Sequence, residues 1–335
     1  MTIDGADAAP QGEQDVVNAC DEGMIARSPD AGLHHVDDAV AAARTAYSGW
    51  ARTPWQERRA LLEAFANRLS AAHIPLSLLV AAESGRTLRR AASEIFFSVH
   101  YFRTLAAQTL APVRYGVAGE QAQLVHKPLS VVGAIAPWNS PVILAVARIV
   151  NALPAGDTMI LRPSPFTPLS APVLGMIGRE VFPCGVFNVV TAGADVGAAM
   201  TTHAGIAKIS FTGSIATEKL IAAAAAPTLK RLTLELDGND AAIVLPDADI
   251  DLFCDTLYRT SFENGGQFCA CIKRLYVHES VMDDAATNGG TILGGGQRLN
   301  RGLFIPPTLF TGLGHGVPLV RRGAVRPLAA PDPVP

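Results

Sequence analysis

The chemically sharpest stretch of the sequence is Phe262-Glu-Asn-Gly-Gly-Gln-Phe-Cys-Ala-Cys271, which sets a thiol, Cys269, among glycines and amides. It precedes Arg274-Leu-Tyr-Val-His278, whose alternation reads as a strand. Once ionised, a thiol is the strongest ordinary nucleophile near neutral pH, and it attacks an aldehyde carbonyl to give a thiohemiacetal. The oxyanion needs donors, and the Asn139 side chain and the Cys269 backbone N–H are suited to supply them. After a hydride leaves for a nicotinamide, the thioester has to be hydrolysed, which calls for a carboxylate such as Glu235 as general base.

Each piece also has a plainer reading. Taken singly, Cys269 is more often an inert buried thiol and Pro137-Trp-Asn139 usually only a turn, while Glu235 reads equally as one member of a structural ion pair. Phe211-Thr-Gly-Ser214 is either a simple strand-to-helix turn or a glycine and serine opening a helix whose N–H groups hold a pyrophosphate. Cys269 and Cys271 lack the second ligand pair that zinc would need, so no metal is expected.

The elements that must position these residues follow from periodicity. Residues 1–35 are polar, rich in Asp, Gly and Ala, and read as a poorly ordered lead-in. Helical spacing begins at Val36 and continues through Phe65 and Leu69; further helices are expected over 74–84, stopped by Gly85, and over 88–107. Trp50 and Trp55 read as packing residues. From Gln121 the period changes. Strands are expected at 124–126, 131–136, 158–162, 186–190, 208–211, 231–236 and 241–245, with helices at 142–152, after Pro168, at 196–203 and at 217–225. That alternation predicts an α/β fold, a doubly wound parallel sheet whose ligands bind at the carboxyl ends of the strands. Four of those ends carry Pro137–Asn139, Arg162–Ser164, Phe211–Ser214 and Glu235.

With 335 residues, 49% hydrophobic and 17% charged, the chain can bury a large core. The net charge is -3 and no Lys/Arg cluster marks a nucleic-acid or membrane partner. No basic start with an apolar run opens the chain, apolar segments are too short to span a bilayer, and five scattered cysteines read as reduced thiols; a cytoplasmic location is expected.

In combination the motifs are specific. Pro137-Trp-Asn139, Phe211-Thr-Gly-Ser214, Leu234-Glu-Leu236 and Gly266-Gln-Phe-Cys269 stand in the order found in the aldehyde dehydrogenase superfamily, and the sequence resembles that superfamily from about Val36 to Phe310. The resemblance implies a Rossmann-like cofactor domain and a second α/β catalytic domain, incomplete here. It implies Cys269 as nucleophile, Glu235 as general base and Asn139 as oxyanion donor, with NAD or NADP lined by Trp138, Arg162, Ser164, Phe211, Gly213 and Ser214. Expected boundaries are 1–35 for the lead-in, 36–235 for the N-terminal helices and dinucleotide domain, 236–312 for a truncated catalytic domain and 313–335 for an aberrant tail.

Four positions depart from the family pattern. Arg162 replaces a lysine that bonds the adenosine ribose, and Pro165 replaces an acidic residue that favours NAD, leaving NAD versus NADP open. Glu218 adds negative charge to the first turn of the cofactor helix, and Asp237 replaces a glycine beside the general base. The family's helical turns after Asp283-Asp284 and its Glu-x-Phe-Gly-Pro motif are missing. Back-translated as CGA CGA GGA GCA GTT CGG CCN and shifted by one base, Arg321-Arg-Gly-Ala-Val-Arg-Pro327 yields Asp-Glu-Glu-Gln-Phe-Gly-Pro, so a single-base frameshift just before that motif is expected, a sequencing error explaining the tail equally well. The reading is thus an oxidoreductase acting on a small-molecule aldehyde, with an inactive nucleotide-binding remnant and a cofactor-independent esterase as alternatives. Homo-oligomers are usual in the family, but the strand that builds them is not found here.

Overall fold

The computed structural model describes residues 1–108, 112–117, 120–236, 238–278, 292–294 and 309–310. The expectations for Asp237, for Asp283-Asp284 and for the tail at 313–335, Arg321–Pro327 included, fall outside the described residues. Two compact units are present, one formed by Met1–Asn18 with Met24–Glu235 and the other by Ala19–Gly23 with Leu236–Pro335.

The first unit opens with β1 (Thr2–Ile3), β2 (Ala6–Asp7), β3 (Gly12–Val17) and β4 (Met24–Asp30). Four helices follow: α1 (His34–Arg52), α2 (Trp55–Ala71), α3 (His73–Ser84) and α4 (Leu88–Ala106). After β5 (Val113–Val117) and β6 (Glu120–Leu124) the chain alternates through β7 (Val131–Ile135), α5 (Pro141–Ala152), β8 (Thr158–Arg162), α6 (Ser170–Val181) and β9 (Phe187–Val189). It continues with α7 (Ala194–Thr202), β10 (Lys208–Gly213), α8 (Ile215–Ala225) and β11 (Arg231–Leu236). A seven-stranded sheet has the order β11-β10-β7-β8-β9-β1-β2. β7 runs parallel to both β8 and β10, and β8 parallel to β9.

Every residue of β7, β8 and β9 is buried, which explains their unbroken apolar text: helices cover both faces of a parallel sheet. α2, α3, α4, α5 and α6 form one packed group, while α1 contacts β7, β8 and α7, and α7 contacts α8. In the first group the Phe65 ring stacks on Phe102 at 5.3 Å and on Phe182 at 5.4 Å. Trp50 is buried and its Nε1–H donates to the Leu153 carbonyl at 3.1 Å. α3 ends at Gly85, whose φ of 69° puts it in the left-handed region that glycine enters without a Cβ penalty.

Two expectations need correction. Residues 1–30 are not a loose lead-in: β1 pairs antiparallel with β9 and extends the sheet, the Asp4 N–H donates to Asn188 Oδ1 at 3.0 Å, and β3 and β4 form a hairpin. Backbone pairing rather than an apolar period holds these strands, so periodicity had little to report. The strand expected at 124–126 is instead the second arm of an antiparallel hairpin, β5 with β6, ending at Leu124.

The second unit contains β12 (Asp240–Val244), α9 (Ile250–Ser261) and β13 (Ile272–Val277), then the short antiparallel pair β14 (Ile292–Gly294) and β15 (Leu309–Phe310). β12 and β13 are parallel and α9 is the crossover between them. Among the described residues no helix is long and apolar enough to cross a membrane.

Candidate active site

The sheet brings three of the four strand-end motifs to one rim. Ile135 pairs with Arg162 on one side and with Phe211 on the other, so the residues after β7, β8 and β10 emerge together. Between β7 and β10 the strand order reverses, which is where a doubly wound sheet opens its ligand crevice. Trp138, half-buried, and Asn139, buried, follow β7; Ser164, buried, follows β8; Phe211 is buried, with Gly213 and Ser214 half-buried beyond it. A Cβ on Gly213 would lie 2.5 Å from the Phe211 ring, so glycine is needed for the strand to turn over that ring.

Asn139 stands in a loop clamped by a buried ion pair that the sequence reading missed. Arg86 donates to Glu94, to the Asn139 carbonyl and, at 2.7 Å, to Ser140 Oγ. Glu94 Oε1 in turn accepts from the Val142 and Ile143 N–H groups at 2.9 and 3.1 Å, capping α5, which has no side-chain cap of its own. Burial pushes the Glu94 carboxyl up, while Arg86 and the two N–H groups pull it down. Glu83 does the same for α6, accepting from Leu169 N at 2.7 Å and Ser170 N at 3.2 Å. Burial raises its pKa to about 7 against those hydrogen bonds. The sequence signal was two glutamates on otherwise apolar helix faces, spaced for α3 and α4 but with no partner nearby in the chain.

Arg162 is buried and turned along the sheet edge: Nη2 donates to the Ala192 and Gly193 carbonyls at 2.8 and 2.6 Å, and the buried Nε has no hydrogen-bond partner. Burial lowers its pKa to about 10, opposed by Asp195 and Asp30. Ser214 caps α8, accepting from the Thr217 N–H at 3.3 Å. An eleven-residue helix opening at the crevice suits an anionic pyrophosphate, and the unpartnered Arg162 Nε is a donor left for a ribose or phosphate oxygen; Glu218, half-buried in the first turn, opposes anion binding. On balance these residues fit a dinucleotide.

Glu235 is the exposed penultimate residue of β11, the strand beside β10. Cys269 belongs to the second unit, in a loop built by Asn264, Gly265 and Gly266, whose φ values of 52°, 65° and 78° are all left-handed. That run explains why the text reads Asn-Gly-Gly, since these residue types tolerate the region best. Lys273 donates to the Gly266 carbonyl, the Cys271 N–H closes a turn onto Phe268 O at 3.2 Å, and the buried Cys271 Sγ lies 3.4 Å from Glu263 O. Cys269 itself is half-buried. Gly238 passes against it so closely that a Cβ would fall 1.5 Å from the Cys269 carbonyl oxygen. Among the described residues no cluster of metal-ligating side chains is present.

The aldehyde dehydrogenase family model matches residues 7–288. The chain is 39% identical over 255 residues to the aldehyde dehydrogenase LUC3 of a Fusarium species, covering 76% of this chain and 54% of that protein. It is 34% identical over 294 residues to the 3-sulfolactaldehyde dehydrogenase of Pseudomonas putida, covering 84% and 60%. It therefore spans less than two-thirds of the length of these relatives. The NAD+ complex of an aldehyde dehydrogenase from Bacillus cereus superposes with a TM-score of 0.89 at 28% identity, over 96% of this chain and 76% of that one. The match begins within the first strands and includes all four strand-end motifs and the cysteine loop: the chain belongs to the aldehyde dehydrogenase family.

Proposed function

We propose that this chain oxidises an aldehyde to a carboxylic acid with NAD, or with NADP, through a covalent thioester on Cys269. The observation that carries this reading is the convergence of Pro137–Asn139, Arg162–Ser164 and Phe211–Ser214 at the switch point of the sheet, in a chain whose family match also contains the cysteine loop. Cys269 is the nucleophile; its sulfur adds to the carbonyl carbon, and the charge passes to oxygen. Asn139 Nδ2 and the Cys269 N–H are the donors for that oxyanion, and one such donor is worth about 10²- to 10³-fold in rate. A bound nicotinamide supplies the acceptor for the hydride. Glu235 then takes a proton from water, whose oxygen attacks the thioester carbon and frees the acid and the thiol.

Trp138, Arg162, Ser164, Phe211, Gly213 and Ser214 line the dinucleotide side. The helix end at Ser214 faces the negative charge, and Arg162 contributes its remaining donors rather than a freely swinging cation. The substrate is a small aldehyde, the location the cytoplasm, and no nucleic acid or membrane takes part. Aldehyde-dependent reduction of NAD(P)+ at 340 nm, abolished in Cys269→Ala while NAD(P) binding is retained, is the expected outcome. Nucleotide binding without any aldehyde turnover in the unaltered chain would establish the remnant reading instead.

A further inference from the structure

The cysteine loop holds a second thiol that the reaction above does not use. Cys269 and Cys271 are the second and fourth residues of a turn closed by the hydrogen bond from Cys271 N–H to Phe268 O at 3.2 Å. With consecutive Cα atoms 3.8 Å apart, residues two positions apart in such a turn have their Cα atoms about 5.5 Å from each other. That lies inside the range a disulfide spans. Cys269 is half-buried and within reach of solvent, whereas Cys271 is fully buried. A single side chain serves both sulfurs: Lys273 is anchored on the Gly266 carbonyl, and although burial lowers its pKa, the charges of Cys271, Cys269 and Asp240 act to keep it an ammonium. The same cation favours the ionised form of Cys271 against its burial.

We propose that Cys269 and Cys271 form a peroxide-sensitive dithiol, in which a hydroperoxide converts Cys269 to a sulfenic acid and Cys271 closes it to a Cys269–Cys271 disulfide. In the first step the thiolate sulfur attacks the peroxide, the O–O bond breaks, and sulfur loses two electrons while the distal oxygen leaves as an alcohol or water. In the second the Cys271 sulfur bonds to the Cys269 sulfur, the S–O bond breaks, and hydroxide leaves with the Cys271 proton as water. The outcome is a nucleophile stored in a form that thiols restore, instead of one carried on to the irreversible sulfinic acid. The proposal requires Cys269 to be reactive toward peroxide, which is separate from its being catalytic.

The full chain offers a clean readout, because the tryptic peptide Thr260–Lys273 contains these two cysteines and no other. After hydrogen peroxide, alkylation and digestion, this peptide is expected two hydrogens lighter and unlabelled. After dithiothreitol it is expected to carry two labels. In Cys271→Ser, which keeps a donor for the Glu263 carbonyl, peroxide is expected to drive Cys269 to the sulfinic acid, with no recovery by dithiothreitol. A wild-type peptide with sulfinic Cys269 beside a labelled Cys271 overturns the proposal, as does a Cys269 that peroxide leaves untouched. Disulfide formation in a chain with no aldehyde turnover would count against the proposed function alone.

Discussion

Replacing Arg86 with methionine tests the clamp on the Asn139 loop. The substitution removes the guanidinium from Glu94, from the Asn139 carbonyl and from Ser140 Oγ, and the two partners of the ion pair are 7% and 3% exposed. Breaking one side of a pair this deeply buried costs about 3–5 kcal/mol, because the remaining charge is left without its counter-ion. Glu94 keeps the Val142 and Ile143 N–H groups, so a value near 3 is expected. The cost also depends on pH. Burial already raises the Glu94 pKa and Arg86 opposes it, so loss of Arg86 raises it further. A carboxyl whose folded pKa lies above its unfolded value stabilises the fold below the unfolded pKa, and that contribution is lost as pH rises through the folded pKa. The variant is therefore expected to lose least near pH 5 and most near pH 8. All three tryptophans, Trp50, Trp55 and Trp138, lie in the first unit, so urea unfolding followed by tryptophan fluorescence reads that unit alone. Adding Glu94→Gln should recover a large part of the loss at pH 8. A cost below about 1 kcal/mol, or one that is the same at pH 5 and pH 8, would refute the reasoning.

Glu83, with a pKa raised from 4.5 to about 7, contributes stability that is complete below pH 4.5 and is lost as pH rises to about 7. The span corresponds to on the order of 3 kcal/mol. Glu83→Gln should flatten the stability profile between pH 4.5 and 7; a profile that keeps its slope would assign the dependence elsewhere. Gly238→Ala drives a methyl into the Cys269 carbonyl, so the thiol's alkylation rate is expected to change by tenfold or more while tryptophan-detected unfolding of the first unit stays the same. Unchanged alkylation would show that the two segments part at no cost.

The alternating half of the fold was legible because parallel strands buried on both faces leave unbroken apolar runs. Thr158–Arg162, buried throughout, has the predicted bounds; so does Arg231–Leu236, which is part-exposed and legible by its alternation instead, and the helices between them agree within a few residues. The chemistry-bearing residues were legible as motifs, and the register explains why three of them share a rim. What escaped notice is tertiary. Glu83 and Glu94 cap helices by accepting from N–H groups 86 and 48 residues later, and no local pattern announces such partners. Arg162 reads as a cation for the ligand, yet its fate is set by two carbonyls at Ala192 and Gly193, 30 and 31 residues away. Gly238 is one glycine among 30, distinguished only by what lies opposite it.

The pairing of Thr2 with Val189 has a consequence for how the molecule is made. During synthesis the first strand leaves the ribosome well before its partner exists, and closing so long a loop is slow even when the contact is favourable. β1 can pair with β2 at once, but its other side must wait for about 190 residues of translation, which at 5–20 residues per second is roughly 10 to 40 seconds. For that interval an edge-forming segment is open to any other strand or to a protease. Yield from cells should respond to translation speed and to chaperones before it responds to anything at the rim where the cofactor binds.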